Sequence, residues 1–423
     1  MHFGFYCHTG SSHVDGLVAL ALHLQERGHR ATLFQIAPEF ESAVRRAGLD
    51  FHPFDTNQNS PETKTQPGPQ SGKPSGLSGT HRALHRTMQY TATAFREGPA
   101  IIKSTGVDAL IIDQIELAGP TIAERLGLPF VTVSICMPTI PDLGQPPTFT
   151  TWSYLPGPLG RLRNRWGYKM LFRKARPFLE MDDAQRHAWG LPSRLQSLKT
   201  RLGDINQLPA CFDFPRKTNP RFFYTGPFLV GAARAEVPFP WDRLDGRPLI
   251  FAALGTLPGR VQAFQIIAQA SAGLDAQLVL SLSGGGVQPA ELGGLPGNPV
   301  IVSYAPQLEL IKRAALVITH AGLSTTLECL SFGVPMVAIP FTHDQPGVAA
   351  RIAWHGAGEF VPHQKLSAPR LRGAMERVLL KSSCKKSAER LQAQIPRDGL
   401  RQAGDIIERV FNVSTAAKSA AAS

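Results

Sequence analysis

Short apolar runs that end in loops of small or polar residues recur along this chain, and this repeat limits its fold more than any other feature. In the second half, four such runs occur at Leu249–Ala253, Leu278–Leu282, Leu316–Thr319 and Val334–Ile339. Apolar runs of this length favour buried β-strands. Because open α/β sheets bind ligands at the loops that follow their strands, these four loops are where a binding site is first expected.

The first half alternates strands with helices. Strands are predicted at Phe3–Cys7, Ala31–Ile36, Asp108–Ile112 and Phe130–Ile135, and helices at Val14–Arg27 and Thr121–Leu126. The first helix carries apolar residues at helical spacing and stops at Gly28, since glycine adopts the positive φ of a helix end at little cost. This alternation predicts an α/β fold in which a parallel sheet is covered by helices.

The length of 423 residues suits two domains. A Pro-rich polar stretch at 238–247 predicts a linker between an N-terminal Rossmann-like domain at 1–237 and a C-terminal one at 248–412. The Ala/Ser-rich tail at 413–423 is expected to fray. Residues 55–81 are rich in Pro, Gly, Ser, Gln and Thr, which predicts a mobile loop.

The formal net charge of +12 concerns partners more than fold. Nucleic acid, an anionic membrane surface and a phosphorylated substrate are all compatible with it. No zinc-finger spacing, homeodomain-like arm or RNA-binding aromatic signature accompanies the charge, so nucleic acid is the weakest of the three. A basic, aromatic segment at 152–178 is a candidate for peripheral contact with an anionic membrane, with Trp152, Trp166, Tyr168 and Phe172 at the interface. The alternative is a solvated helix whose aromatic side chains belong to the core.

Targeting signals are weak in this sequence. No run approaches the roughly 20 apolar residues of a membrane-spanning helix, and the first residues lack the basic region of a secretory signal. The five cysteines are scattered and odd in number, which favours reduced core thiols. We therefore expect a cytoplasmic protein that can also contact the inner face of the membrane.

The strongest candidate for chemistry is the turn from strand to helix at His320–Glu328. A helix beginning near Ser324 would direct free backbone N–H groups and the positive end of its dipole at the loop. Gly322 would let a ligand approach the main chain. Ser324 and Thr325 add hydroxyl donors, and His320 can donate a further hydrogen bond. The pattern predicts a diphosphate site built without a metal ion; the alternative is a serine N-cap after a glycine turn.

Five blocks around this turn resemble the nucleotide-sugar signature of the UDP-glycosyltransferases. They are Tyr304-Ala305-Pro306-Gln307, Thr319-His320-Ala321-Gly322, Thr326-Leu327-Glu328, Gly333-Val334-Pro335-Met336 and Asp344-Gln345. The blocks follow the family's order, and from His320 to Gln345 the spacing matches without gaps. The resemblance implies a GT-B fold, two Rossmann-like parallel-sheet domains facing across a cleft, and inverting transfer from a UDP-sugar.

The resemblance also implies roles for the matching positions. Tyr304 stands where the plant enzymes have a uracil-stacking tryptophan, and Gln307 and Glu328 would hold the ribose hydroxyls. A lone glutamate on a helix is usually solvated, which is the alternative for Glu328. The substitution of Tyr for Trp leaves the stacking partner open. The stretch from Tyr304 to His320 is slightly shorter than in the plant enzymes, and Ala321 replaces the usual Cys or Gly.

The remaining donor contacts are implied in the same way. The phosphates would be held by His320, Gly322, Ser324 and Thr325, and the sugar hydroxyls by Asp344 and Gln345. Gly255-Thr256 resembles the family's small loop that touches the diphosphate from the opposite side. A glycine–threonine pair at a strand end is, on its own, usually only a turn.

Transfer with inversion needs a base that takes the proton of the acceptor hydroxyl. His13 lies in the first strand–helix loop, where this family has a catalytic histidine. An imidazole there needs a carboxylate to fix its tautomer; Asp113 is the candidate, and Glu116 is the second choice. The alternatives are a surface or capping role for His13, a helix N-cap for Asp113, and His8 as a competing base, although His8 lies close to the strand end.

Four segments resemble the carotenoid-glycosylating branch of the family more narrowly. They are Val107–Pro129, Phe212–Arg216, Leu254–Leu257 and His343–Arg351. This implies UDP-glucose as donor and a hydroxylated carotenoid such as zeaxanthin as acceptor, giving β-glucosides. No metal is expected, because no DxD-type carboxylate pair accompanies the phosphate loop. Another lipophilic acceptor (macrolide, flavonoid or sterol), a GT-B sugar-nucleotide epimerase and a binding-only protein stay open as alternatives.

Overall fold

The computed structural model describes residues 1–36, 38–54, 77–194, 201–229, 237–255, 260–283 and 287–421, without the side chains of 77–84 and 413–421. Within these residues, two parallel sheets are covered by helices. Of the loop predicted at 55–81, residues 55–76 lie outside the described part, and residues 77–81 begin a helix. The stretch predicted as a linker, 238–247, lies in the connection between the two sheets.

The first sheet has the strand order β3-β2-β1-β4-β5-β6-β7, and every neighbouring pair is parallel. Its strands are β1 (His2–Tyr6), β2 (Arg30–Gln35), β3 (Asp50–Pro53), β4 (Ala109–Asp113), β5 (Phe130–Ser134), β6 (Asp204–Asn206) and β7 (Phe222–Tyr224). The helices of this half are α1 (Ser11–Glu26), α2 (Glu41–Arg46), α3 (Leu77–Thr105), α4 (Ala118–Leu126) and α5 (Gly157–Ala188).

The second sheet has the order β10-β9-β8-β11-β12-β13 and is also parallel throughout. Its strands are β8 (Leu249–Ala253), β9 (Gln277–Ser281), β10 (Val300–Val302), β11 (Ala314–Thr319), β12 (Met336–Ala338) and β13 (Gly358–Phe360). The helices that follow are α6 (Val261–Ser271), α7 (Gln307–Arg313), α8 (Leu323–Ser331), α9 (Gln345–Trp354), α10 (Ala368–Leu380), α11 (Ser382–Gln394) and α12 (Gly399–Ala421).

The central strands β4 and β8 are buried along their whole length, which is why they are largely apolar runs. Successive side chains of a strand point to opposite faces. In β8, Phe251 and Ala253 therefore join one apolar cluster while Ile250 and Ala252 join another. The strands of the first sheet divide between two clusters in the same way.

The last helix returns to the first half of the chain. Ile407 and Phe411 of α12 belong to the same apolar cluster as Phe3 of β1. Arg27, just after α1, donates hydrogen bonds to Glu408 at 2.6 and 2.9 Å and to Asp405 at 2.7 Å. The end of the chain thus contributes to the core of the N-terminal half.

Two observations concern the membrane predictions. In the described part of the chain, no helix has the length and apolar character needed to span a bilayer. The prediction that Tyr168 lies at an exposed interface is wrong, because its side chain is only 7% exposed. Its hydroxyl accepts a hydrogen bond from the Asp142 N–H at 3.4 Å, so this face of α5 packs inward.

Candidate functional site

In each sheet the strand order reverses at one pair of neighbouring strands. The candidate residues lie at these two pairs. In the first sheet the change falls between β1 and β4, and in the second between β8 and β11. Successive connections there run to opposite faces, so a crevice opens at the carboxyl ends of the strands. His13 and Asp113 lie at the first crevice, and Gly255 and His320 at the second.

His13 and Asp113 form a hydrogen-bonded pair, as predicted. His13 lies in the first turn of α1, and Asp113 is the last residue of β4. His13 Nδ1 is 2.6 Å from Asp113 Oδ2, and the carboxylate is fully buried. When Nδ1 carries a proton and donates it in the hydrogen bond to Asp113, Nε2 is the ring nitrogen that can accept a proton. The capping alternatives are wrong, because the N-cap residues of α1 and α4 are Gly10 and Leu117.

The surroundings of His13 favour its charged form. Burial alone would lower the pKa of the imidazole, but the carboxylates of Asp113, Asp344 and Glu116 outweigh burial and raise the pKa above its ordinary value. A ring that gains a proton here meets a carboxylate already in place. The arrangement can therefore accept a proton and stabilise the imidazolium that results.

A second histidine–carboxylate pair lies beside the first. Glu116, the second choice as partner of His13, instead binds His8, with 2.7 Å between His8 Nδ1 and Glu116 Oε1. The His8 and His13 rings contact edge to face at 5.3 Å between centroids. This pair was missed from the sequence, since no spacing rule joins residues 108 positions apart.

The His320 ring lies between two glycines of facing loops. A Cβ on Gly322 would lie 2.5 Å from His320 Nε2, and one on Gly255 would lie 2.9 Å from the same atom. Larger residues would therefore displace the ring. Ala321 has φ of +65°, an unfavourable conformation for a residue with a Cβ. Thr256, the partner of Gly255 in the predicted loop, lies outside the described residues.

His320 is uncharged at neutral pH. Burial, and after it the nearby Arg260 guanidinium, lower the pKa of the imidazole to about 3. The ring can therefore donate a hydrogen bond to a phosphate oxygen but brings no positive charge to it.

The two residues proposed for the ribose meet directly. Gln307 Nε2 donates to Glu328 Oε2 at 2.5 Å and approaches Thr325 Oγ1 at 3.4 Å. Glu328 is only 4% exposed, so the alternative of a solvated helix glutamate is wrong. Tyr304, in the loop before α7, is 60% exposed. A ring with that much free surface has room to stack on a planar base.

Ser324 links the two halves of the chain. Gln207, which follows β6, donates from Nε2 to Ser324 Oγ at 3.2 Å. The N-cap residue of α8 is Gly322, so the alternative of a serine N-cap is wrong. The first turn of α8 therefore faces the N-terminal half, with its backbone N–H groups at the crevice.

Asp344 and Gln345 lie where α9 begins. Asp344 Oδ2 accepts a hydrogen bond at 2.8 Å from the backbone N–H of Met137, in the N-terminal half. Burial raises the pKa of the Asp344 carboxyl, although the Met137 N–H and His13 act against it. Gln345 Oε1 accepts from the N–H groups of Phe341 and Thr342 at 2.9 and 3.1 Å, which fixes the loop before it.

Two of the segments that resemble the carotenoid-glycosylating branch, Phe212–Arg216 and His343–Arg351, are joined by a buried ion pair. The sequence did not indicate this pair. Arg351 on α9 binds Asp213, and Arg216 Nε donates to the other carboxylate oxygen at 2.8 Å. Gln145 accepts from Arg351 at 3.0 Å. The charged residues inside apolar segments could have indicated this ion pair, because charged side chains are seldom buried without partners.

Comparison with known proteins identifies the family of this chain. Residues 211–405 match the model of the UDP-glucoronosyl and UDP-glucosyl transferase family. Zeaxanthin glucosyltransferase of Pseudescherichia vulneris is 33% identical over 370 residues, 85% of this chain and 86% of that protein. The zeaxanthin glucosyltransferase of Pantoea ananas is 30% identical over 417 residues, 97% of this chain and 96% of that protein.

Solved structures support the same fold. The crystal structure of the glycotransferase of kitacinnamycin superposes with a TM-score of 0.73 at 21% identity, covering 97% of this chain and 98% of that one. The predicted GT-B architecture is thereby confirmed. The chain belongs to the UDP-glucoronosyl and UDP-glucosyl transferase family, and it is a GT-B glycosyltransferase that uses a UDP-sugar donor and an acceptor.

Proposed function

We propose that this enzyme transfers glucose from UDP-glucose to hydroxyl groups of a carotenoid such as zeaxanthin, giving β-glucosides with inversion at the anomeric carbon. The observation that carries the proposal is the likeness to two zeaxanthin glucosyltransferases across 85% and 97% of this chain. A likeness of that extent includes most of the N-terminal half, where the acceptor is expected to bind.

The acceptor is activated by His13. Its Nε2 takes the proton of the acceptor hydroxyl. In the same step the hydroxyl oxygen forms a bond to the anomeric carbon of the glucose, and the bond between the anomeric carbon and the diphosphate oxygen breaks. Asp113, at 2.6 Å from Nδ1, stabilises the imidazolium. A single displacement of this kind inverts the anomeric carbon.

The donor is held by the C-terminal half. Gln307 and Glu328 bind the ribose, and the uracil stacks on Tyr304. His320 donates a hydrogen bond to the diphosphate, which gains negative charge as it leaves, and Gly322, Ser324 and Thr325 complete this contact. We assign Gly255 to the other side of the diphosphate, with Thr256 as the second residue that the sequence predicts for that contact. Asp344 and Gln345 bind the glucose hydroxyls.

The enzyme collects its water-insoluble acceptor at an anionic membrane surface through α5 and the residues just before it. A row of exposed apolar side chains follows one face of α5: Leu159, Leu162, Trp166 and Met170. Leu155, just before the helix, is exposed as well. Exposed basic residues, Arg161, Arg165 and Lys169, alternate with this row. An apolar row flanked by cations suits a helix that lies in the headgroup region.

The test is incubation with several UDP-sugars and with zeaxanthin, a flavonoid, a macrolide and a sterol, with and without EDTA. Mass spectrometry identifies the products, and NMR coupling at the anomeric proton gives the stereochemistry. We expect a β-glucoside of zeaxanthin and no loss of activity in EDTA, since we propose no metal requirement. Glycosylation of another acceptor alone would contradict the carotenoid assignment. Conversion of the UDP-sugar without an acceptor would indicate an epimerase.

A further inference from the structure

Arg260 is a buried arginine of the C-terminal half. It immediately precedes α6, just after residues 256–259, and its side chain is 4% exposed. Both terminal nitrogens, Nη1 and Nη2, are buried without a hydrogen bond to any described residue. Burial lowers the pKa of the guanidinium to about 10, so it stays charged at neutral pH.

The other buried arginines lack this feature. Arg351 is fully buried and binds Asp213 and Gln145. Arg186 is 1% exposed and binds Glu124, Thr121 and the carbonyl of Pro192. An unpaired buried charge is costly, which is why such groups have partners in folded proteins. Among the residues that the structure describes, no hydrogen-bond acceptor meets Nη1 or Nη2 of Arg260, and these free donors therefore point to an anionic ligand.

The surroundings of Arg260 place that ligand. The guanidinium is close enough to His320 to lower the pKa of its ring. It also lies over the ring of Phe341, with 4.2 Å to the centroid. The N–H of Phe341 donates to Gln345. Arg260 therefore packs against the loop proposed for the sugar and lies near His320 of the loop proposed for the phosphates.

The charge balance of the donor site agrees with this placement. A diphosphate brings negative charge, and His320, although it can donate a hydrogen bond, is neutral at the working pH. We propose that Arg260 binds the diphosphate of the donor through Nη1 and Nη2 and stabilises its charge as UDP leaves. The planar guanidinium presents two parallel donors to phosphate oxygens. This inference rests on the donor half of the proposed function and not on the identity of the acceptor.

The test compares binding of UDP and of uridine, which lacks phosphate, by isothermal titration without any acceptor. Arg260→Gln should weaken UDP binding by about 10- to 100-fold, since a hydrogen bond to a charged group contributes roughly 1.5–3 kcal/mol. Uridine affinity should not change. Arg260→Lys should restore part of the UDP affinity. Arg370→Gln, an exposed arginine of α10, is the matched control and should bind UDP as the wild type does.

Other outcomes overturn the inference. Equal losses for UDP and uridine would mean that Arg260 only supports the fold, and unchanged UDP affinity in Arg260→Gln would remove it from the site. If Arg260→Gln does not fold, Arg260→Lys is the variant to measure. A loss of UDP affinity that is matched by an equal loss of uridine affinity would contradict the proposal. A loss of UDP affinity alone would support it. A wild type that binds no UDP would overturn the proposed donor site as well.

Discussion

The Arg351 guanidinium donates two hydrogen bonds to Asp213 Oδ1, from Nη2 at 2.7 Å and from Nε at 2.9 Å. Burial acts to raise the pKa of Asp213, but Arg351 and then Arg216 outweigh it and lower the pKa to about 2. The ion pair joins α9 to a segment that precedes the second sheet by more than thirty residues. It ties the segment between β6 and β7, in the N-terminal half, to the helix that begins with the proposed sugar-binding residues.

We expect Arg351→Met to destabilise the protein by about 3 kcal/mol, because the Asp213 carboxylate stays buried with one of its two cations removed. Urea unfolding measures the change. The double variant Asp213→Asn/Arg351→Met should lose less than the single variant, because the buried carboxylate is neutralised together with the cation that is removed, and Arg216 keeps Gln145 Oε1 as an acceptor at 2.7 Å. A single variant as stable as the wild type would contradict this.

Loss of the proposed base should separate chemistry from donor binding. His13→Ala should lower turnover by about 10²- to 10⁴-fold, the usual cost of removing a general base. UDP affinity in isothermal titration should stay near that of the wild type. The matched control is His8→Ala, which removes the neighbouring ring and should cost far less. A larger loss in His8→Ala than in His13→Ala would transfer the role to His8.

The pH profile should report the His13–Asp113 pair. The base must be neutral, so kcat/KM should rise with pH through the pKa of His13, which lies above its ordinary 6.5. In Asp113→Asn the carboxylate that raises this pKa is gone while the burial that lowers it remains. The acidic limb should therefore move to lower pH, and the rate should also fall. A limb that does not move would mean that another group titrates.

The two donor contacts should respond differently to truncation. His320→Ala should weaken UDP binding and turnover together, because the ring is proposed to contact the diphosphate. Gln345→Ala should leave UDP affinity intact and reduce use of UDP-glucose, because Gln345 is proposed to bind the sugar. Titration with UDP and steady-state kinetics with UDP-glucose measure both. Equal losses of UDP affinity in the two variants would show that the roles are assigned wrongly.

Membrane binding should depend on the exposed row of α5. Leu159→Ser/Leu162→Ser should reduce co-sedimentation with anionic vesicles, since these side chains are 75% and 68% exposed. The control is Leu380→Ser on α10, where the side chain is 83% exposed.

Binding of the wild type should also fall as salt rises, because exposed charges are screened over about 10 Å at 0.1 M. Arg161→Gln, Arg165→Gln and Lys169→Gln should each weaken it. If co-sedimentation with vesicles did not change with lipid charge, salt or these substitutions, the exposed row of α5 would have no role in membrane binding.

Local patterns in the sequence predicted much of the fold. The apolar runs of Leu249–Ala253 and Phe130–Ile135 coincide with β8 and β5 to within one residue, because buried parallel strands must be apolar on both faces. The spacing of motifs from His320 to Gln345 pointed to the proposed donor site, since its residues lie on consecutive strand–loop–helix units.

Long-range contacts and burial, which only the tertiary structure decides, set the chemistry. Asp113 and Glu116 both reach the loop after β1 because β1 and β4 are adjacent in the sheet, with Phe5 opposite Ile111; there Asp113 pairs with His13 and Glu116 with His8. His320 loses its charge because it is buried beside Arg260, 60 positions earlier in the chain. Hydrogen-bond partners and desolvation depend on which distant segments meet. The sequence could therefore suggest the residues of the proposed site, while their charges and partners were decided by the tertiary structure.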